Sequence, residues 1–433
     1  MKKVYIETYG CQMNEYDSEI VKTILKKNDY EFVNDPEKAQ VLFLNTCSVR
    51  ENAHQKVRQR INVLKKLKKS NRDIIIGILG CMAQNLRDEL LVDKVGVDII
   101  AGPDSYKKLP ALLDHVVQSG EKEYELSLSE YETYSDIFPT REGGVNAWIA
   151  VMRGCDNFCT FCVVPYTRGR ERSREPENVV EEVRHLVKDG FKQVTLLGQN
   201  VNSYKSGKSD FADLMDIVSK VDGLKRIRFT SPHPKDFPEK LLQAVAVNPK
   251  VCKHIHLPLQ AGNDRVLDIM NRTYTKTEYL NLVGRMRELI PDLVLTTDII
   301  VGFPTETESE FLDTLDIMKQ VEFDAAFMFK YSERKQTIAT RKYPDDVSEE
   351  DKTSRITRLV ELQRKHSLKR NKAHIGQEFE VMIEGTGKKP GQLLGRNDGN
   401  KIVVFPGNGN AIGDLVNARI TEATTNTLIG EIL

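Results

Sequence analysis

Short, nearly continuous apolar runs separated by amphipathic stretches dominate the first 118 residues: VYIETYG, VLFLNTC, DIIIGILGC and VDIIAGP. Strands buried on both faces show this pattern, because helices cover each side of a parallel sheet. Residues 1–118 therefore predict a doubly wound α/β domain. Cys11, Cys47 and Cys81 each fall at the carboxyl end of one of these runs. Ligands of open α/β sheets bind at that edge, so three thiols far apart in sequence are expected to converge in space and hold an iron-sulfur cluster by three corners.

An acidic, aromatic-bearing stretch follows, YELSLSEYETYSDIFPTREGG, and residues 119–144 read as a connector. From residue 145 to 372 strand and helix alternate again. AWIAVMRG, VTLLGQNVNSY, IRFTSPHP, HIHLPLQAG, VLTTDIIVGFPTET and AAFMFKYS predict strands; PENVVEEVRHLVKDG and TKTEYLNLVGRMREL predict helices between them. Repeats of this length predict a partial (β/α) barrel whose site lies at the carboxyl ends of its strands. Residues 373–433 change to short alternating segments with frequent glycines, predicting a small all-β barrel.

The densest chemistry sits just after the first barrel strand, in RGCDNFCTFCVVPYTRGR. Cys155, Cys159 and Cys162 are spaced CxxxCxxC, close enough to ligate three irons of one 4Fe-4S cube and leave the fourth iron open. A zinc site usually assembles four ligands from two CxxC-like pairs, and no further Cys or well-spaced His completes such a set. The opening MKKVYIETYG has no apolar signal segment, and no run approaches the roughly 18 apolar residues of a membrane helix. The expectation is a cytoplasmic chain without membrane association, where clustered thiols bind metal rather than form disulfides. Cys252 stands alone and reads as a packing residue. His233, His254 and His256 read as structural rather than metal-ligating.

The 433 residues carry 63 basic and 63 acidic side chains, so overall charge selects no partner and only local clustering can. Arg50–Arg72 holds nine Lys or Arg and one acid, and Lys352–Lys372 holds eight and one. Both are predicted helices, and the arginines of TRGRERSR lie beside the CxxxCxxC loop. Arg58, Lys65, Lys66, Lys69, Arg168, Arg170, Arg172, Arg355 and Arg358, with Arg396 and Lys401 in the C-terminal barrel, are the candidates for salt-dependent phosphate contacts.

The CxxxCxxC spacing resembles that of the radical S-adenosylmethionine (SAM) superfamily. YGCQMNEYDSE, NTCSVRENA, LGCMAQ, LLGQNVNSY, TSPHP, LPLQAGNDRVLDIMNRTYT and the terminal barrel extend the likeness over nearly the whole chain, which is similar to the methylthiotransferase family. The resemblance implies an auxiliary-cluster domain, a radical SAM core and a terminal TRAM domain. It implies two 4Fe-4S clusters, on Cys11, Cys47 and Cys81 and on Cys155, Cys159 and Cys162, and two SAM molecules. The implied substrate is isopentenyladenosine next to the anticodon of tRNA, at position 37, methylthiolated at carbon 2. The protein would act as a monomer fed by a reducing electron-donor protein. Gln199, Asn200, Ser231, Gln260, Asp298 and Glu306, at predicted strand ends, are the candidates for SAM or substrate contacts, and no side chain is assigned as a catalytic acid or base. GFPTET and YSERKQT stand where the family more often has GFPGET and a YSERPGT-like stretch. A ribosomal-protein aspartate or threonylcarbamoyladenosine in tRNA are the alternative acceptors. An iron-sulfur RNA-binding sensor is the alternative without turnover.

Overall fold

A computed structural model of the chain describes residues 2–433 apart from 49, 50, 91, 93, 94, 142 and 408, and only the backbone of 51–54. Arg50, the first basic residue of its segment, thus lies outside the described residues. The N-terminal sheet comprises β1 (Lys2–Tyr9), β2 (Tyr30–Phe32), β3 (Val41–Thr46), β4 (Ile75–Gly80), β5 (Ile99–Ala101) and β6 (Glu123–Glu125). They pair in parallel in the order β2-β1-β3-β4-β5-β6. Every residue of β3 and β4 is buried, which is why their sequences run apolar without alternation. The predicted connector is partly absorbed into this domain. It supplies β6, and its Tyr134 and Ile137 are buried in the same apolar cluster as Val4, Tyr16 and Tyr106.

The second region contains β7 (Asn146–Ala150), β8 (Gln193–Leu197), β9 (Arg226–Phe229), β10 (His254–His256), β11 (Val294–Val301) and β12 (Ala325–Lys330). Two three-stranded parallel sheets result, β7-β8-β9 and β10-β11-β12. A bridge between Ile227 and Val251 joins them, so the six strands follow one another around a partial barrel as the alternating sequence predicts. Along β11, Leu295, Ile299 and Val301 pack toward the helices. The alternate residues Thr296, Asp298 and Ile300 therefore face inward. The helices between strands follow the amphipathic segments. Pro176–Lys188 carries proline in its first turn, and Lys276–Leu289 starts from a Thr275/Glu278 capping box.

The last region is a closed barrel of β13 (Glu378–Thr386), β14 (Gln392–Asn397), β15 (Ile402–Pro406), β16 (Leu415–Ala423) and β17 (Leu428–Ile432), ordered β13-β14-β15-β17-β16. It sits against the amino ends of the core strands. Arg226 donates to the Arg396 carbonyl at 2.7 Å, Arg228 to the Asn397 carbonyl at 2.7 Å, and the Lys253 N–H to Asp398 at 3.0 Å. The opposite end, where the cysteine loop lies, stays clear of it. Among the described residues, no helix is long and apolar enough to cross a membrane.

The N-terminal domain is fastened to the core by a buried polar knot. Glu182, 1% exposed, accepts from Arg174 at 2.7 Å, from Arg141 at 3.0 Å and from the Tyr16 hydroxyl at 3.4 Å. Removing this one carboxylate strips the buried Arg174 of its ionic partner and leaves Arg141 with Glu19 alone, at 2.8 Å. Glu182→Ala is expected to cost on the order of 3–5 kcal/mol, read as a fall in the thermal unfolding midpoint against the parent chain.

Candidate metal centres

Sheet register builds the first site. Thr46 of β3 pairs with Gly80 of β4, and Tyr9 of β1 with Thr46. Cys47 and Cys81 therefore leave neighbouring strands at the same level, and Cys11 leaves the third strand one residue later. Gly10 permits the crowding, since a Cβ there would meet the Cys47 Cβ at 2.9 Å. Asn14, fully buried, ties the turn after Cys11 to the end of β3 by donating to Asn45 and to the Thr46 carbonyl, both at 3.2 Å. The Cys11 thiol is pulled below the ordinary thiol range, first by the hydrogen bond from Cys47 and also by the charge of Arg168. Burial pushes Cys81 the other way. A thiolate ready to ligate metal thus already has its partners beside it.

The second site is a loop stitched at several points. Gly154 has φ +79°, and a Cβ there would lie 1.9 Å from the Arg170 carbonyl oxygen; its N–H donates to Gln199 Oε1 at 2.5 Å. Thr160 bonds the Met270 and Ile269 carbonyls at 3.0 and 2.8 Å, and Asn271 donates to the Asn157 carbonyl at 2.9 Å. Arg272, 4% exposed, donates to Cys159 Sγ at 3.3 Å. Burial pushes the Cys155 and Cys162 thiols up to about 12, so loading metal here must expel protons.

The two sites meet through one short helix. Val164–Arg168 begins two residues after Cys162 and rises roughly 7.5 Å at 1.5 Å per residue. At its end Arg168 donates from Nε to Cys81 Sγ at 3.1 Å and from Nη2 to Asp17 at 2.8 Å. Arg153, two residues before Cys155, donates to the other oxygen of Asp17 at 2.6 Å. The N-terminal trio therefore faces the barrel's carboxyl end.

Each donor set suits a cubane cluster by its chemistry: it offers three thiols, and none of the seven cysteines is in a disulfide. Three thiolate ligands leave one iron of a four-iron cube exchangeable. Cys252 is buried away from both sets, as a packing residue.

Several predicted contacts lie elsewhere. Gln199 supports the cysteine loop. Asn200 and Gln260 are buried, each with an unpartnered carbonyl oxygen. Ser231 and Gln260 adopt φ of +61° and +68°, and Asp298 faces inward beside His256 Nε2 at 3.3 Å. Glu306 and Arg355, expected at a cofactor and at a phosphate, instead pair with each other at 2.9 Å in the interior. Arg168 and Arg172, expected at a phosphate surface, are also buried; Arg172 is locked to Asp104 at 2.9 Å. Lys401 is spent on Asp324 at 2.8 Å, and Arg396 on Glu384 at 3.1 Å and the Asn400 carbonyl. Arg58 pairs with Glu89 and Arg170 with Asp156 while staying exposed to solvent, and the half-buried Arg358 pairs with Glu308. Lys66 and Lys69 are exposed and Lys65 half-buried on the basic helix Glu51–Ser70. Sequence reasoning missed Asp17, Arg153 and Arg272; each stands within a few residues of a ligand or in the quoted motif NRTYT, which was the available signal.

A partial parallel barrel with a three-thiol loop at its carboxyl end defines a radical SAM enzyme. Family models agree: the Radical SAM superfamily matches residues 149–318, the TRAM domain 372–433, and an uncharacterized protein family, UPF0004, 3–102. The solved structure of the radical SAM methyltransferase TsrM from Kitasatospora setae, with cobalamin and a [4Fe-4S] cluster bound, superposes with a TM-score of 0.60. It is 14% identical and covers 78% of this chain and 77% of that one, a likeness of fold. A protein of Chloroherpeton thalassium named tRNA-2-methylthio-N(6)-dimethylallyladenosine synthase is 47% identical over 100% of this chain and 96% of its own. One of Porphyromonas gingivalis with the same name is 46% identical over 100% and 95%. The chain belongs to this family of radical SAM methylthiotransferases.

Gly154→Ala is expected to break the loop, because both its backbone angle and the Arg170 carbonyl exclude a side chain. Anaerobic reconstitution should then load about four iron atoms per chain rather than about eight, counted colorimetrically. Retention of the full iron content would contradict the assignment.

Proposed function

We propose that the chain adds a methylthio group to carbon 2 of N6-isopentenyladenosine next to the anticodon of tRNA, using two 4Fe-4S clusters and two molecules of SAM. The observation that carries this reading is the convergence of two three-thiol sites on one edge of the molecule, joined by the helix ending at Arg168. When loaded, the cofactors supply a 5′-deoxyadenosyl radical from SAM at the core site and a methylated sulfur at the N-terminal site. An aromatic C–H is too inert for side-chain acid–base chemistry, so the protein's part is to position and to exclude water.

The inner wall supports a neutral, apolar adenine substituent. Phe327 and Phe329 pair in register with Asp298 and Ile300, so they share the inward face, and both are exposed. The Phe327 ring lies 5.8 Å from that of His256. Aromatic faces beside an aspartate suit a stacked base with an isopentenyl group. They oppose the carboxylate of threonylcarbamoyladenosine by like charge. His233 is a second lining candidate. Its Nδ1 accepts from the Lys235 N–H at 3.3 Å, which leaves Nε2 as the N–H, buried and unpartnered. Burial holds the ring neutral, down to about 2, so this N–H suits an acceptor on SAM or substrate at all working pH values.

A single-stranded anticodon loop lowers the cost of bringing the base out of its stack. Lys66 and Lys69 on the basic helix are the phosphate contacts this reading retains, with Arg170 beside the cluster loop. A cytoplasmic location and a separate electron-donor protein complete it.

Anaerobic incubation with SAM, a reductant and tRNA carrying isopentenyladenosine, followed by nucleoside mass spectrometry, tests the proposal. A methylthio gain on that nucleoside is expected; a gain only on a ribosomal peptide or on threonylcarbamoyladenosine would refute it. Phe327→Ala and Phe329→Ala should each raise KM for a prenylated anticodon stem-loop by roughly tenfold, the scale of one lost stacking contact. RNA-independent cleavage of SAM to 5′-deoxyadenosine should be unaffected.

A further inference from the structure

Arg168 comes from the core, yet it is buried against the N-terminal cysteines. It is 3% exposed, hydrogen-bonded to Cys81 Sγ at 3.1 Å and ion-paired to Asp17 at 2.8 Å. Asp17 is fully buried and also takes Arg153, 1% exposed, at 2.6 Å. The Tyr106 hydroxyl donates to the same carboxylate at 3.3 Å. Two guanidinium groups against one carboxylate leave one positive charge in excess, enclosed, with no solvent to screen it.

A three-thiolate 4Fe-4S cube carries one net negative charge when oxidised and gains another on one-electron reduction. Hydrogen bonds to cluster sulfurs and nearby cations stabilise the reduced form and raise the potential. We propose that Arg168 is a positioning residue through which the core domain sets the reduction potential of the N-terminal cluster, with Asp17 holding that potential in check. The inference rests on the two-cluster reading above. It makes docking of the two domains a condition of the cluster's electronic state, because the tuning charge belongs to one domain and the ligands to the other.

The test uses the full-length chain with Cys155, Cys159 and Cys162 all changed to Ala, so that only the N-terminal site loads. Its midpoint potential is read by electron paramagnetic resonance during titration with dithionite and mediators. Added Arg168→Gln should lower the reduction equilibrium constant about tenfold or more, a negative shift of about 59 mV per tenfold for one electron. Arg168→Lys, which keeps the charge but not the planar fork, should shift less in the same direction. Asp17→Asn, which frees the two arginines, should shift the midpoint the opposite way. An unchanged midpoint in an Arg168→Gln protein that retains its four irons overturns the inference. Shifts of the same sign in the Arg168 and Asp17 variants overturn it as well. Should Arg168→Gln fail to load iron, the opposite signs of Arg168→Lys and Asp17→Asn still decide. A parent without iron would overturn the two-cluster reading itself, and the inference with it.

Discussion

One fully buried carboxylate organises this molecule. Asp17 sits in the first turns after Cys11, so its position is inherited from the N-terminal sheet. Its two oxygens are claimed by guanidinium groups flanking the other cysteine loop. Burial alone would raise its pKa, but the charges of Arg153 and Arg168 outweigh burial and keep it ionised. Such a cluster is a poor source of net stability, because each charge loses its hydration. Its yield is geometric. With both oxygens committed, the two loops have a single relative placement, and the two thiol sets cannot drift apart without exposing unpaired charge.

The strand framework was legible because parallel strands covered on both faces leave no ambiguity in their pattern. VLFLNT and IIGILG are buried at every residue, and the cysteines at their ends follow from register alone. The core strands were legible from their helix-facing apolar residues instead, since their inward face is open and Phe327 and Phe329 stay exposed on it. The packing of the connector was not legible, because Tyr134 and Ile137 are scattered with other apolar residues through an acidic stretch without helix or strand periodicity. Nothing in their spacing shows that they fill a gap beneath Tyr106, whose ring stacks on that of Tyr134 at 5.7 Å.

Charge was the least legible property. In Lys352–Lys372 the basic residues suggested an exposed face. The helix Glu349–Lys372 nevertheless turns Lys352, Arg355, Gln363 and Asn371 inward with Leu359, at the three- and four-residue steps usually held by apolar side chains. Arg355 finds Glu306 and Lys352 finds Asp345. Both partners lie outside the helix, so composition counts a cation where the structure holds a neutral pair. The same reasoning disposes of Arg172 with Asp104 and of Lys401 with Asp324. A basic run marks a polyanion surface only after its internal carboxylates have been found.

The seat of the C-terminal barrel narrows where RNA can be engaged. Its Asn397–Lys401 turn is committed to Arg228, Lys253 and Asp324 at the amino ends of the core strands, the end opposite the cysteine loop. That turn therefore cannot also grip an RNA at the reacting base. A barrel that binds nucleic acid from this position must do so through its remaining surface, such as the exposed Lys388–Gly391 turn. The C-terminal barrel and the cysteine loop thus occupy opposite ends of the core, with the partial barrel between them.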